Sequence, residues 1–568
     1  MKPIIYQVIP RLFGNKRTAK YRNKPNVPSG TIEENGVGKF ANFTSHVLKK
    51  LKEVGYTHVW YTGVLDHATQ TDYSFMGQPA THQSVVKGRA GSPYAVRDYY
   101  NVDPDLASVA EKRFDEWIAL IERTHRAGLK LIMDFVPNHV ARNYHSISAP
   151  DGVRDLGADD DTARHFSPTN NFYYCVGESF SPQFERNGYV EYPARATGND
   201  CFNASPTTND WYETIKLNYG IDYTGGHICH FDPVPDTWHK MVEILEFWTS
   251  YGVDGFRCDM AEMVPVEFWQ WAISRIKALN SETIFIAEVY NPSLYRSYIN
   301  VGGFDYLYDK VGLYDTLHSI VRHSAPTSSI TYAWQSVDDI RGRMLSFIEN
   351  HDERRIASAV EDGRYTVERL AHRGFVATAI ATLISTGAVM LYAGQEIGET
   401  GPDAEGFSGY DGRTSIFDYW RVDSLCRLQQ ALNGRSSLSE RDAALIVKYK
   451  ALLATTTLPI VANGGFYDIM WLNAHNLQFD IHTIYAFVRH LNNEVLLVVA
   501  NFADHSVDVG LSLSQHLFDA ISLKPTDTVE AVDLMSGQQL SFSFNTTTHT
   551  YIHLSSDDIV CLSFRLEK

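Results

Sequence analysis

Along most of the chain, short apolar runs bounded by turn residues alternate with longer stretches in which apolar residues recur at helical spacing. The short runs predict strands at Ile4–Ile9, His58–Thr62, Leu129–Phe135, Gly255–Asp259, Ile284–Val289, Phe304–Tyr308, Met344–Glu349 and Val389–Tyr392. Between them FANFTSHVLKKLKEVG, RFDEWIALIERTHRAG and TWHKMVEILEFWTSYG read as amphipathic helices. Each closes on glycine, the usual residue where a helix ends in left-handed backbone. Strands that alternate with helices in this way predict an α/β fold, a parallel (β/α)8 TIM barrel.

Two stretches break the rhythm. Asp134 and Arg257 lie too far apart for one strand–helix–strand crossover of about 30 residues. Most of that interval is rich in Asn, Asp, Gly, Pro and aromatics and has no helical period, so a subdomain inserted after the third strand is expected. Beyond residue 458, IYAFVRHL, EVLLVVANF and IVCLSFRL, separated by turn residues, predict an all-β domain. The expected organisation is a barrel from 1–139 and 237–458, an inserted subdomain at 140–236 and a C-terminal β-sandwich at 459–568.

Composition narrows the function. With 44 % hydrophobic and 21 % charged residues, the 568-residue chain has the balance of a soluble globular protein. Its net charge of −17 repels phosphate backbones and anionic lipid heads, so neither nucleic acid nor a membrane is an expected partner. A neutral substrate is indifferent to that charge. The six cysteines form no Cys-x-x-Cys pair, which argues against a zinc or redox site and for reduced thiols. The opening MKPIIYQVIPRLFGN is too short and too polar for a signal peptide and reads as a first strand, so a cytoplasmic location is expected.

The candidate chemistry sits at strand ends. LIMDFVPNHV places Asp134, Asn138 and His139 just past an apolar run, and GVDGFRCDMAEM puts Arg257 and Asp259 two apart on one face. IFIAEVYNP ends on Glu288, and LSFIENHDERR ends on His351 and Asp352. One polar residue after a strand is ordinarily a turn or cap. Four such clusters, which a barrel would gather on one rim, are harder to assign to caps.

These segments, D-x-x-x-N-H (134–139), G-F-R-x-D (255–259), A-E-V (287–289) and N-H-D (350–352), resemble in content and order those of the α-amylase family, glycoside hydrolase family thirteen. YAGQEIG (392–398) resembles that family's eighth strand and loop, and the likeness covers about 1–458. It implies a retaining α-glucan or maltodextrin hydrolase that works through a covalent glycosyl-enzyme. Asp259 would be the nucleophile, Glu288 the acid/base, and Asp352 the group that binds hydroxyls and stabilises the oxocarbenium ion. His139 and His351 would donate to hydroxyls, and Tyr94 would stack beneath the reacting sugar. Arg257 would hold Asp259 ionised and lower its pKa. Asp98 reads as loop support, and Glu349 is expected to matter less than its neighbours.

The chain also departs from that family. Met260-Ala261-Glu262-Met263 stands where amylases carry Ala-Ala-Lys-His, and Ala95 follows Tyr94 where relatives often carry Asp. Lys216-Leu217-Asn218 replaces Asp-Leu-Asn, and a lysine there would repel the structural calcium, although the candidate ligand Asn138 is retained. No cofactor is required for the chemistry. The expected partner is a small oligosaccharide or glucan, with oligomeric state left open. A 4-α-glucanotransferase or maltosyltransferase of the same family is the nearest alternative. An inactive carbohydrate-binding or transporter-associated barrel is the alternative from another class, and the presence of all three carboxylates argues against it.

Overall fold

The computed structural model describes residues 2–17, 30–360, 363–401 and 411–568. Eight parallel strands form one sheet: β1 (Ile4–Val8), β2 (His58–Tyr61), β3 (Lys130–Phe135), β4 (Gly255–Cys258), β5 (Ile284–Ala287), β6 (Tyr306–Tyr308), β7 (Met344–Leu345) and β8 (Val389–Tyr392). Their order is β7-β6-β5-β4-β3-β2-β1-β8. The ring closes through Ser346, whose N–H donates to Ala388 O at 2.9 Å and whose carbonyl accepts from Met390 N at 3.0 Å. The expected TIM barrel is thus present.

Alternation along each strand decides what fills the barrel. Ile5, Trp60, Ile132, Ile286, Leu345 and Met390 point inward and form a buried cluster of their own, whereas Val59, Tyr61, Leu131 and Met133 join the larger core under the helices. Two residues further along the same inward faces come Gln7, Asp134 and Glu288. The lower layer is therefore apolar and the layer above it polar, so the strands deliver charged groups to one rim. Gly255 fits because a Cβ there would lie 2.5 Å from Ile284 Cγ1.

The three expected helices form over Ser45–Val54, Arg113–Arg126 and Asp236–Ser250. The glycines after them, Gly55, Gly128 and Gly252, take φ of 124°, 77° and 90°, left-handed values that suit glycine. Among the described residues no helix is long and apolar enough to cross a membrane. Between β3 and the helix at Asp236–Ser250 the chain makes only short ladders, the first pairing His139–Ala141 with Thr214–Lys216.

The C-terminal strands are β9 (Gly465–Asp468), β10 (Ile484–Leu491), β11 (Glu494–Asn501), β12 (Val507–Leu511), β13 (Thr526–Asp533), β14 (Gln539–Phe544), β15 (Thr550–Leu554) and β16 (Asp558–Arg565). Six of them make an antiparallel sheet in the order β9-β10-β11-β16-β13-β14, β12 pairs with β15, and one helix, Gln515–Ile521, is added. Arg489 of β10 joins this domain to the barrel. Its guanidinium donates to Ile384 O at 2.9 Å and Leu383 O at 3.3 Å, the open carbonyls at the end of helix Val367–Ile384. It also donates to Val461 O at 2.8 Å and Gly464 O at 2.7 Å. Burial, with Arg341 adding, brings the Arg489 pKa down to about 9.

Arg489→Met should keep the packing but strand these carbonyls, and the first unfolding transition in urea should lose about 3 kcal/mol. A loss under about 0.5 kcal/mol, the ordinary range of a surface change, would show that the sheet docks by apolar contact alone.

Candidate active site

Arg257, at an inward position of β4, is fully buried, with its guanidinium carbon 5.5 Å from the ring centre of Trp60, 5.2 Å from Tyr94 and 5.6 Å from Tyr308. Its Nη1 donates to Asp259 Oδ1 at 2.8 Å, and its Nη2 makes a close ionic contact, 2.7 Å, with Glu288 Oε1. Nε donates to the Tyr308 hydroxyl at 3.1 Å, and Asp134 Oδ1 lies 3.7 Å from Nη1. Cys258 and Ala287 are register partners on β4 and β5, and Glu288 N–H donates to Cys258 O at 3.1 Å, so Asp259 and Glu288 leave the sheet side by side. Met260 then turns into left-handed backbone (φ 42°, ψ 43°), which brings its N–H to Glu288 Oε2 at 2.8 Å. The Tyr290 hydroxyl donates to Glu288 Oε1 at 2.7 Å.

Arg257 does pull the Asp259 pKa down, as expected, but the net shift is upward. Burial pushes the Asp259 carboxyl well above its usual value; Arg257 opposes this, while the charges of Glu288, Asp352 and Asp134 add to it. One guanidinium faces three buried carboxyls, and the cost of desolvating them wins.

Beside this pair, Tyr94 lies on the loop that leads into the strand Val96–Val102. Its hydroxyl hydrogen-bonds His351 Nε2 and reaches Asp134 Oδ1 at 3.3 Å. Gln7 Nε2 donates to His351 Nδ1 at 2.8 Å, which leaves the ring proton on Nε2, 2.9 Å from Asp352 Oδ2. Asp352 keeps 40 % of its side-chain surface open. Desolvation would raise its carboxyl, but His351, with Arg257 behind it, holds it below its ordinary value. Burial pushes the His139 imidazole down to about 3, with Lys216 and Lys87 adding. His139 is therefore neutral, with Nε2 4.0 Å from Asp259 Oδ2.

Tyr94, His139, Asp259, Glu288 and Asp352 line one cavity of about 240 Å³. Arg257 and His351 lie beneath it. Asn138 does not join them: its Oδ1 accepts from the Lys216 ammonium at 2.7 Å, and Lys216 Nζ lies 2.7 Å from Asp200 Oδ1 and 5.4 Å from the centre of the Tyr223 ring. Asp98 accepts from Tyr100 N, Ser146 Oγ and Ile147 N, a loop-holding role. Glu349 is buried against Arg355 at 2.8 Å. The cavity also draws on Met260, named above among the departures from the family, and on Tyr290, Lys87, Glu213, Ile416 and Phe417, which the sequence did not mark as site residues. Tyr290 carried a usable signal, standing two residues after Glu288; the others sit on irregular segments. Trp211, from the aromatic stretch NDWYETIKLNYG, lines it too.

The family described as "Alpha amylase, catalytic domain" matches residues 7–418. The chain belongs to the α-amylase family. It is 25 % identical over 485 residues to alpha-amylase MalA of Haloarcula japonica, covering 84 % of this chain and 54 % of that protein. It is 23 % identical over 387 residues to an alpha-amylase of Streptomyces lividans (62 % and 39 %), and 21 % identical over 417 residues to neopullulanase 2 of Thermoactinomyces vulgaris (70 % and 57 %). The matched stretch thus spans between 39 % and 57 % of these relatives' lengths. Among solved structures, a noncanonic maltogenic alpha-amylase, AmyB, from Thermotoga neapolitana superposes with a TM-score of 0.62 at 18 % identity over 99 % of both chains. The Geobacillus thermoleovorans alpha-amylase crystallised with acarbose gives 0.64 at 17 % identity, over 99 % of this chain and 98 % of that one. These share the fold.

Because the folded chain holds the Asp259 proton more tightly than the unfolded chain does, ionising Asp259 costs stability as pH rises above the ordinary carboxylate range. Asp259→Asn should therefore raise Tm at pH 7, and the gain should shrink towards pH 4. A loss of Tm at pH 7 would mean that the ion pair with Arg257 outweighs burial.

Proposed function

We propose that the chain is a retaining glycosidase that hydrolyses short α-glucans by double displacement. The observation that carries this reading is the shared guanidinium: Arg257 touches Asp259 at 2.8 Å and Glu288 at 2.7 Å, so both carboxyls face one cavity from adjacent strands. Adjacent strands lie about 4.8 Å apart. That spacing supports the carboxyl separation of about 5–5.5 Å typical of retaining enzymes over the 6.5–9.5 Å or so of inverting ones.

In this reading Asp259 attacks the anomeric carbon while Glu288 gives its proton to the departing oxygen, and the glycosidic C–O bond breaks. Met260 N–H and the Tyr290 hydroxyl then both donate to the carboxylate that Glu288 has become. Water enters, Glu288 takes its proton, and the oxygen displaces Asp259 from the sugar. Asp352, on the open side, stabilises the positive charge that develops on the ring, neutral His139 holds a hydroxyl, and His351, beneath the cavity, positions Tyr94 and Asp352. A cavity of about 240 Å³ lies below the usual 300–1,000 Å³ or so of ligand pockets, which supports a short maltodextrin over a long chain. The six unpaired cysteines support a cytoplasmic location.

Maltotetraose digested in an NMR tube should first release the α-anomer, with products shorter than the substrate, and Asp259→Asn and Glu288→Gln should each cut kcat by roughly 10³-fold or more. First release of the β-anomer would overturn the mechanism, and products longer than maltotetraose would assign the chain to transfer.

We infer further that the rim near Asn138 carries no calcium. The ligand oxygen a calcium would use already accepts from the Lys216 ammonium, whose side chain is 2 % exposed, and a divalent ion there would meet a buried positive charge. Exhaustive chelation should leave Tm and activity unchanged, whereas Lys216→Met should lower Tm by about 2–4 °C or more. A rise in Tm when calcium is added to the wild-type protein would refute this.

A further inference from the structure

One charged pair in the cavity wall has no part in the double displacement. Glu213, 3 % exposed, lines the same cavity as Asp259 and Glu288, and its Oε1 lies 2.9 Å from Lys87 Nζ. Its other oxygen, Oε2, is buried and has no hydrogen-bond partner among the described residues. A buried carboxylate oxygen without a donor is costly, so a group entering the cavity has reason to supply one.

The pair is also fixed in place. Glu213 O accepts from Arg142 N at 3.2 Å, and the next residue, Thr214, is the register partner of Ala141, so Glu213 is tied to the same ladder that carries His139. Lys87 comes from a different loop, whose neighbour Gly88 (φ 61°) sits so close to Phe417 that a Cβ there would lie 2.2 Å from Phe417 O. Trp211 lies alongside, its ring 5.2 Å from His139, and offers an apolar face within the cavity.

We propose that Glu213 and Lys87 form a hydroxyl-reading clamp for the glucosyl ring adjacent to the reacting one, and so set specificity for substrates longer than a single sugar. This rests on the glycosidase reading above. A neutral polyol fits the chemistry: one hydroxyl donates to Glu213 Oε2, the neighbouring hydroxyl accepts from the Lys87 ammonium, and the ring's apolar face meets Trp211. An anionic ligand would be repelled by the unpaired carboxylate oxygen. Glu213 acts here on binding and takes no proton to or from the reacting atoms.

The test compares α-glucosyl fluoride, which fills only the reacting position, with maltotriose, in wild type and Glu213→Gln. With Glu213→Gln, kcat/KM for maltotriose should fall about 10- to 100-fold further than kcat/KM for α-glucosyl fluoride, with the difference carried by KM. Lys87→Met should shift the same ratio in the same direction, which keeps the idea testable if Glu213→Gln folds poorly. Equal losses on both substrates, or no loss on either, would overturn the clamp and leave the pair as wall structure. If the wild-type protein turns over neither compound, it is the glycosidase reading itself that fails.

Discussion

Everything at the rim depends on burying one guanidinium. Arg257 has no solvent, so its charge is answered by Asp259 and Glu288 at contact distance and by Asp134 one step further out, while the rings of Trp60, Tyr94 and Tyr308 pack around it. A buried cation with fewer partners would be strongly disfavoured, and three carboxyls with no cation would not stay together. The arrangement therefore fixes two acids relative to each other without a bond between them. Their spacing follows from the width of one planar group and one strand-to-strand step.

That geometry is possible because the barrel sorts its inward side chains by height. The lower layer, with Ile5, Ile132 and Ile286, excludes water, and the next inward positions on the same strands are Gln7, Asp134 and Glu288. Charged groups placed just above an apolar floor, with one open side towards the cavity, lose most of their water and feel burial first and one another's charge second. The upward push on Asp259 is one result. The fall of His139 to about 3 is another, and it keeps that ring neutral.

Much of this was legible in the residues themselves. Period-two apolar runs ending in Asp, Arg, Glu or His located the strands and the rim together, because one alternation governs both. What could not be read depends on where irregular segments land. Met260 reaches Glu288 through its backbone, which side-chain identity does not advertise, and Glu213 and Lys87 meet across two loops far apart in sequence. The net sign of the Asp259 shift is hidden for a related reason: the sequence displays the neighbouring arginine but not the depth at which the pair is buried. Apolar pattern alone extends the seventh strand to Glu349. It stops at Leu345, with Ser346 as a lone bridge beyond it, and further on the carboxyl of Glu349 is taken by Arg355 and Asn350 Oδ1 accepts from Asp352 N and Glu353 N in a tight turn.

That early stop leaves the cylinder with a seam. Between β7 and β8 a single residue, Ser346, carries the pairing, whereas β4 and β5 are bonded along their whole length. The segment bearing His351 and Asp352 departs from this thin join, two and three strands away from the staves that hold Glu288 and Asp259. Breathing at the join would shift Asp352 and leave Asp259 and Glu288 in register. The molecule thus keeps its adjustable part and its rigid part on different arcs of the same ring.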